Sequence, residues 1–189
     1  PSKGEKESKN TYAERIKIFM KREGSYESSE YTKVSSIPQR CVALTDNDPP
    51  KDSALPQKGE HLKGENPFLY YKDQSAAMTN NCRVFVNSKT FEYDLAIESH
   101  HNAKIMLKIL LSEISSKIRQ DKIKEYIDMI NSDTVSDDAQ MSYFILTQIE
   151  SSEIGKGLFA QLLSDAIDDE FDIPLYIIEA IDFMLGIEK

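Results

Sequence analysis

The chain has 189 residues, of which 40% are hydrophobic and 29% are charged, a composition typical of one globular domain with or without a small helical extension. No apolar run approaches the roughly 20 residues that a membrane-spanning helix requires, so we expect no membrane partner. The net charge of −9 argues against a simple DNA-binding module, because phosphate contacts are usually made by Lys and Arg. It does not exclude a nuclease, whose acidic site meets phosphate through bound cations.

The first half of the chain contains two short apolar runs that predict strands. Residues 1–10 are polar and charged and predict a disordered tail, whereas Thr11–Arg22 carries apolar residues at helical spacing. The apolar runs are Arg40–Thr45 and Cys82–Val86, and each predicts a buried strand. Residues 49–81 hold four prolines and no sustained periodicity, which predicts a long loop.

The two cysteines, Cys41 and Cys82, fall in these predicted strands. Their spacing does not match a metal or redox motif. We therefore expect buried, reduced thiols and, because no signal peptide opens the chain, a cytoplasmic protein.

From Asn102 onward the sequence predicts helices. The predicted segments are Asn102–Arg119, Asp121–Ile130, Asp138–Ile149, Phe159–Ile167 and a last helix that begins at Pro174. Asn102 is placed to cap the first of them, and Ser151–Gly157 predicts a glycine-bearing loop. In the last helix we expect the following apolar residues to face inward: Ile177, Ala180, Ile181, Met184 and Leu185.

These patterns together predict an α/β protein with a parallel sheet flanked by helices. Two convincing strands are visible and the chain begins with Pro1. We therefore expect a sheet that is incomplete at its N-terminal side, with upstream strands absent or supplied by another chain. The expected organisation is a tail over residues 1–10, a partial α/β core over residues 11–101 and a helical segment over residues 102–189 that completes the domain.

The Asp46-Asn47-Asp48 turn directly follows the first predicted strand, where open parallel sheets bind their ligands. An Asp-x-Asp spacing aims two carboxylates at one point, and Mg²⁺ prefers oxygen ligands. Asp, Asn and Pro are equally the residues of an ordinary turn, so the pattern alone leaves both interpretations open. A haloacid-dehalogenase-type phosphatase is disfavoured, because Pro49-Pro50 follows the second Asp.

Three separated stretches of the chain form a further pattern. The first stretch consists of Tyr12–Phe19 and, further along, Val42–Pro49, which contains the Asp46 turn. The second is Ser88–Ala96. The third is Gly155–Gln161, followed by Phe171–Ile181. In order and spacing these stretches resemble the Toprim part of OLD-family ATP-dependent endonucleases. The second is similar to that family's signature of an aromatic residue or Leu followed by Glu-Tyr-Asp-Leu-Ala. The resemblance covers residues 11–187.

The resemblance implies a Toprim-type fold and two-metal hydrolysis of phosphodiester bonds in DNA, with Mg²⁺ or Mn²⁺ as the cofactor. Asp46 and Asp48 match the family's acidic pair and are expected to be metal ligands and catalytic residues. Glu92 matches a Glu that supplies a further metal ligand. Lys156 matches a catalytic Lys that offsets charge developing on the phosphate in the transition state.

Glu92 and Lys156 also have ordinary interpretations. Thr90 can cap a helix, with Glu92 and Asp94 near the positive end of its dipole. Lys156 can be a solvated lysine in a loop before a helix. Its stretch is not a Walker A loop, because the upstream Gly and the following Ser or Thr are absent.

The resemblance further implies DNA and an ATPase domain as partners, with ATP acting only through that domain, and a homo-oligomer in the full-length protein. DNA repair and phage defence are both compatible with it. The sequence departs from the family because nothing before Tyr12 predicts the strand and Glu-bearing loop that open a Toprim domain. Two other functions stay open: a non-catalytic assembly module derived from a Toprim domain, and a phosphatase or phosphotransferase with Asp46 as its nucleophile.

Overall fold

The computed structural model of this chain describes residues 40–70, 72, 81–151 and 154–187. The predicted tail over residues 1–10 and the predicted helix Thr11–Arg22 lie outside the described residues. Within the described part, the chain forms an α/β structure with a two-stranded parallel sheet and six α-helices.

The sheet consists of β1 (Cys41–Thr45) and β2 (Cys82–Val86), which confirms that both runs form strands. The expected burial is wrong for β1, which has no buried residue and exposes Leu44. The two strands are parallel, with Cys41 opposite Cys82 and Thr45 opposite Val86. Alternate residues of β2, beginning with Cys82, are buried, because successive side chains of a strand point to opposite faces. Cys41 and Cys82 are neighbours across the sheet, and both are free thiols. Cys82 is buried as expected, whereas Cys41 is only half-buried.

The described start of the connection between the strands, residues 46–70, is mostly irregular, as predicted. A short 3-10 helix, Pro67–Leu69, interrupts it. The Asn66 side chain caps this helix by accepting from the Phe68 backbone N–H at 2.9 Å. It also donates to Thr45 Oγ1 at 3.1 Å. One side chain thus both starts the 3-10 helix and ties it to the last residue of β1.

The α-helices follow one another with short connections. They are α1 (Phe91–Glu98), α2 (His100–Glu113), α3 (Lys117–Asn131), α4 (Asp138–Ser151), α5 (Gly155–Ala166) and α6 (Leu175–Leu185). The prediction of a single helix over Asn102–Arg119 is wrong. Helix α2 ends at Glu113, the buried Ile114 that follows adopts an extended backbone, and α3 begins at Lys117.

Asn102 does not cap α2, contrary to the prediction. The cap is Ser99, whose Oγ accepts from the Asn102 backbone N–H at 3.2 Å. The Asn102 side chain is fully buried and donates to the carbonyls of Leu95, at 3.0 Å, and Asp172, at 2.7 Å. It also accepts from the Asp172 N–H at 2.9 Å. A capping residue and a buried amide that joins a helix to a loop have the same sequence signature, so the pattern could not separate them.

Two further predictions change in the C-terminal part. Gly155, Lys156 and Gly157 belong to the first turn of α5 rather than to a loop. In α6, Ala180 is buried as expected, but the expected inward face is wrong for Ile181, Met184 and Leu185, which are exposed. Periodicity identifies which residues share a helix face, but not whether another element covers that face.

The chain divides into two compact units. The first, here called the helical unit, comprises residues 46–64 and 87–175. Its core contains fully buried side chains from four helices, namely Met106, Leu107, Leu110, Ile123, Met141, Ile145, Ile149 and Phe159. Burial of each such side chain contributes roughly 1.5–3 kcal/mol relative to exposure. A second cluster, around Tyr93, Ile97 and Leu146, anchors α1 to α4.

The other compact unit, here called the strand unit, comprises the described residues 40–45, 65–70, 72, 81–86 and 176–187. Its buried cluster is small and centres on Val84 and Val86. Arg40 donates to the Phe183 carbonyl at 2.8 Å, close to the C-terminal end of α6. A cation is favourable at that end of a helix, because the helix dipole is negative there.

Candidate functional site

The Asp46 carboxylate is held by two donors. It is half-buried and directly follows β1 in the chain. Its Oδ1 accepts from Asn87 Nδ2 at 2.5 Å and from the Phe91 backbone N–H at 3.1 Å. These bonds fix the carboxylate against the residue after β2 and the first residue of α1.

Asn47 separates the two carboxylates of the turn and points inward. It is buried, and its side chain donates to the carbonyls of Leu62, at 2.8 Å, and Ser88, at 3.2 Å. Asp48 is exposed, and its φ of 48° lies in the left-handed region, which Asp tolerates better than most residues. The turn interpretation is therefore correct as local structure, and the same turn presents Asp46 and Asp48 on either side of an anchored amide.

The charges of the other three predicted site residues, Asp48, Glu92 and Lys156, influence the pKa of the Asp46 carboxyl. Burial is the largest influence and raises the pKa of the Asp46 carboxyl above its ordinary value, while the hydrogen bond from Asn87 lowers it. The negative charges of Asp48 and Glu92 raise this pKa further, and the positive charge of Lys156 lowers it. Asp48, Glu92 and Lys156 therefore all lie near enough to Asp46 to influence its charge, and Lys156 and Glu92 are in direct contact.

Lys156 forms an ion pair with Glu92. Its Nζ lies 3.2 Å from Glu92 Oε2 and 3.4 Å from Glu150 Oε1. Burial lowers the pKa of the Lys156 ammonium, but the two carboxylates outweigh burial and raise it, so the charged form is favoured. Glu150 was not singled out from the sequence, because an exposed Glu near the end of a helix carries no distinguishing pattern.

Thr90 and Asp94 have structural roles. The Thr90 side chain accepts from the Tyr93 N–H at 3.4 Å, which confirms the predicted helix cap. Asp94 is buried and accepts from the Ser88 N–H, at 2.8 Å, the Ser88 hydroxyl, at 2.7 Å, and the Lys89 N–H, at 3.2 Å. Asp94 therefore fixes the loop between β2 and α1.

Asn87 is a second residue near this site that the sequence prediction missed. It is 1% exposed and bonds both Asp46 and the backbone of Asn47. A signal was available, since Asn87 follows β2 as Asp46 follows β1, and the carboxyl ends of parallel strands are where ligands bind. The resemblance directed attention to the later residues of the same loop instead.

The donor chemistry of the site suits a hard divalent cation. Mg²⁺ is commonly bound by one or two carboxylates, with water and substrate phosphate completing its octahedral shell. Asp46 and Asp48 could supply these carboxylates, whereas Glu92 is paired with Lys156. Among the residues that the structure describes, no group of three or more His, Cys, Asp or Glu side chains is arranged to hold a metal ion.

Comparison of the chain with protein-family models, with curated proteins and with solved structures found no match. Within the described ranges, no helix has both the length and the apolar character needed to span a membrane. The functional assignment therefore depends on the sequence motifs and on the geometry around Asp46.

Proposed function

We propose that this chain is the C-terminal catalytic part of an OLD-family ATP-dependent nuclease, with a Toprim-type domain that hydrolyses DNA in the presence of Mg²⁺ or Mn²⁺. The observation that carries the proposal is the electrostatic environment of Asp46. Asp48 from the same motif, and Glu92 and Lys156 from two other motifs, all influence the Asp46 carboxyl, and Lys156 pairs with Glu92 at 3.2 Å. A divalent cation would relieve the repulsion among the carboxylates.

Each residue has a distinct role in this proposal. Asp46 and Asp48 would hold the cation, and Glu92 would add a ligand or orient a bound water. Lys156 would carry its positive charge to the scissile phosphate and offset the negative charge that develops there. Bound Mg²⁺ or Mn²⁺ would supply an activated water and charge compensation at the leaving oxygen.

The proposed partners follow from the same resemblance. DNA is the substrate, and an ATPase domain or chain contributes nucleotide control together with the remaining strands and the Glu of a complete Toprim domain. We propose a cytoplasmic location and a homo-oligomeric full-length protein. A non-catalytic assembly module is the second candidate, favoured by the exposed apolar side chains of Ile181, Met184 and Leu185 on α6.

Plasmid nicking in Mg²⁺ or Mn²⁺ tests the catalytic proposal, with both the 189-residue chain and a version extended upstream. Loss of a residue that only supports a metal ligand typically lowers activity by roughly 10–100-fold. Because Asp46 is proposed to be a ligand itself, we expect Asp46→Asn to lower the cutting rate by more than that. Asp165→Asn is the matched control, because it makes the same change of charge at an exposed position on α5. We expect it to cut at the wild-type rate.

Two outcomes would contradict the nuclease. One is unchanged cutting by Asp46→Asn. The other is a folded wild-type protein that neither nicks plasmid nor binds Mn²⁺ in calorimetry, which would favour the assembly module.

A further inference from the structure

Asn87 makes one hydrogen bond to a side chain and one to the backbone of the Asp46 turn. Its Nδ2 donates to Asp46 Oδ1 at 2.5 Å, and its Oδ1 accepts from the Asn47 N–H at 3.0 Å. Asn87 is 1% exposed, so water cannot readily replace either bond.

The orientation of the Asn87 amide is fixed by its partners. A backbone N–H can only donate, so the oxygen of the amide must face Asn47. The NH₂ group must then face Asp46, where it meets an acceptor. The alternative orientation would place oxygen against a carboxylate and NH₂ against an N–H. Asn87 therefore presents a donor to Asp46 and cannot reverse it without losing both bonds.

A second donor reinforces this arrangement. The Phe91 N–H, in the first turn of α1, meets the same Asp46 Oδ1 at 3.1 Å. Two donors that converge on one oxygen restrict rotation of the carboxylate. Such partners behind a metal-binding carboxylate set its direction and its charge.

We infer that Asn87 is a positioning residue, which holds the Asp46 carboxylate in the orientation needed to bind a divalent cation. The inference rests on the proposed function, in which Asp46 is a metal ligand. It adds a residue that belongs to none of the roles given above. Because Asn87 acts through Asp46, its loss should change metal affinity even where the fold is intact.

Two substitutions separate positioning of Asp46 from support of the loop. Asn87→Asp keeps an oxygen that can accept from Asn47 but removes the donor to Asp46. The two neighbouring carboxylates repel each other, which favours protonation of one of them. Because that proton competes with the cation, the pH dependence of metal binding should shift to higher pH. Asn87→Ala removes both bonds. We expect each variant to bind Mn²⁺ about 10–100-fold more weakly near neutral pH in calorimetry.

Asn102→Ala is the matched control, because Asn102 is also a fully buried Asn, which joins Leu95 of α1 to Asp172 in the same helical unit. It should lower the unfolding temperature and leave Mn²⁺ affinity at the wild-type value. All variants are compared at a temperature at which circular dichroism shows them folded.

The outcomes separate the inference from the proposed function. Weaker binding by both Asn87 variants, with the pH shift in Asn87→Asp, supports positioning. Wild-type affinity and pH profile in Asn87→Asp would overturn positioning while leaving the nuclease intact. A wild-type chain that binds no Mn²⁺ would overturn both.

Discussion

At the scale of single residues, two acidic side chains of one motif have different partners. Glu92 and Asp94 both lie in the first turn of α1. Glu92 contacts Lys156, whereas Asp94 is buried and accepts hydrogen bonds from Ser88 and Lys89. The motif match could not separate these two residues, whereas the contacts show that Asp94 supports the loop before α1.

Asp94→Asn should destabilise the protein in a pH-dependent way. Near neutral pH we expect a loss of about 1–3 kcal/mol in the free energy of unfolding, because one donor of the Ser88–Lys89 loop loses its acceptor. Burial raises the pKa of the Asp94 carboxyl above its ordinary value, although the hydrogen bonds from Ser88 and Lys89 lower it. Urea unfolding of the wild type and the variant over a pH series measures the difference.

The sign of this pH dependence follows from proton linkage. A carboxyl with a raised pKa binds more protons in the folded state than in the unfolded state. Its contribution to stability is complete below the unfolded pKa and is lost as pH rises through the raised one. The advantage of wild type over Asp94→Asn should fall across that window and then stay constant. An advantage that grows with pH would show that the pKa is lowered instead.

At the scale of elements, the start of α5 explains the position of Lys156. A Lys in the first turn of a helix is disfavoured by the positive end of the helix dipole. Here Glu92 and Glu150 flank the ammonium and offset that cost. The position of Lys156 is therefore set by carboxylates of two other helices, α1 and α4.

The two glycines that flank Lys156 should respond differently to substitution by Ala. Gly155 has a φ of 69°, in the left-handed region that Ala adopts only with strain, so Gly155→Ala should cost roughly 1–2 kcal/mol of unfolding free energy. Gly157 lies within the helix, and an added Cβ there would meet no atom within 4 Å. Gly157→Ala should therefore stabilise the protein by roughly 0.5–1 kcal/mol. Urea unfolding compares them, and equal effects would contradict the backbone argument.

At the scale of the whole molecule, the described buried core is unevenly distributed. In the helical unit, α2, α3, α4 and α5 share one large cluster around Leu107 and Leu110. In the strand unit, the described residues form a smaller cluster around Val84 and Val86. A two-stranded sheet is marginally stable without such packing, so local stability should differ between the units.

Native-state hydrogen exchange should reveal this difference. We expect the slowest amides in α2 and α4, near Met106 and Ile145, because their exchange requires opening of the large cluster. Amides of β1 and β2 should exchange faster, with a lower opening free energy. Exchange in both strands as slow as in α2 would contradict the expectation. Mass spectrometry of peptic fragments provides the measurement.

The sequence by itself determined the local structure. Both strands, the Thr90 cap and most of the helices follow from apolar periodicity, turn residues and caps, which depend on neighbours along the chain. The Asp46 turn, Glu92 and Lys156 were also selected before their positions were known, through the motif order. The nuclease function stays a proposal.

Tertiary structure alone decided which residues meet. No spacing rule shows that Asn87 binds Asp46, that Asn102 joins Leu95 to Asp172 in place of capping α2, or that Cys41 lies beside Cys82.

 Apart from Asn102 with Leu95, these contacts join residues far apart in sequence, and they depend on which faces pack together once the chain has folded. The same reason explains the exposed side of α6, because periodicity defines an apolar face but only packing can cover it.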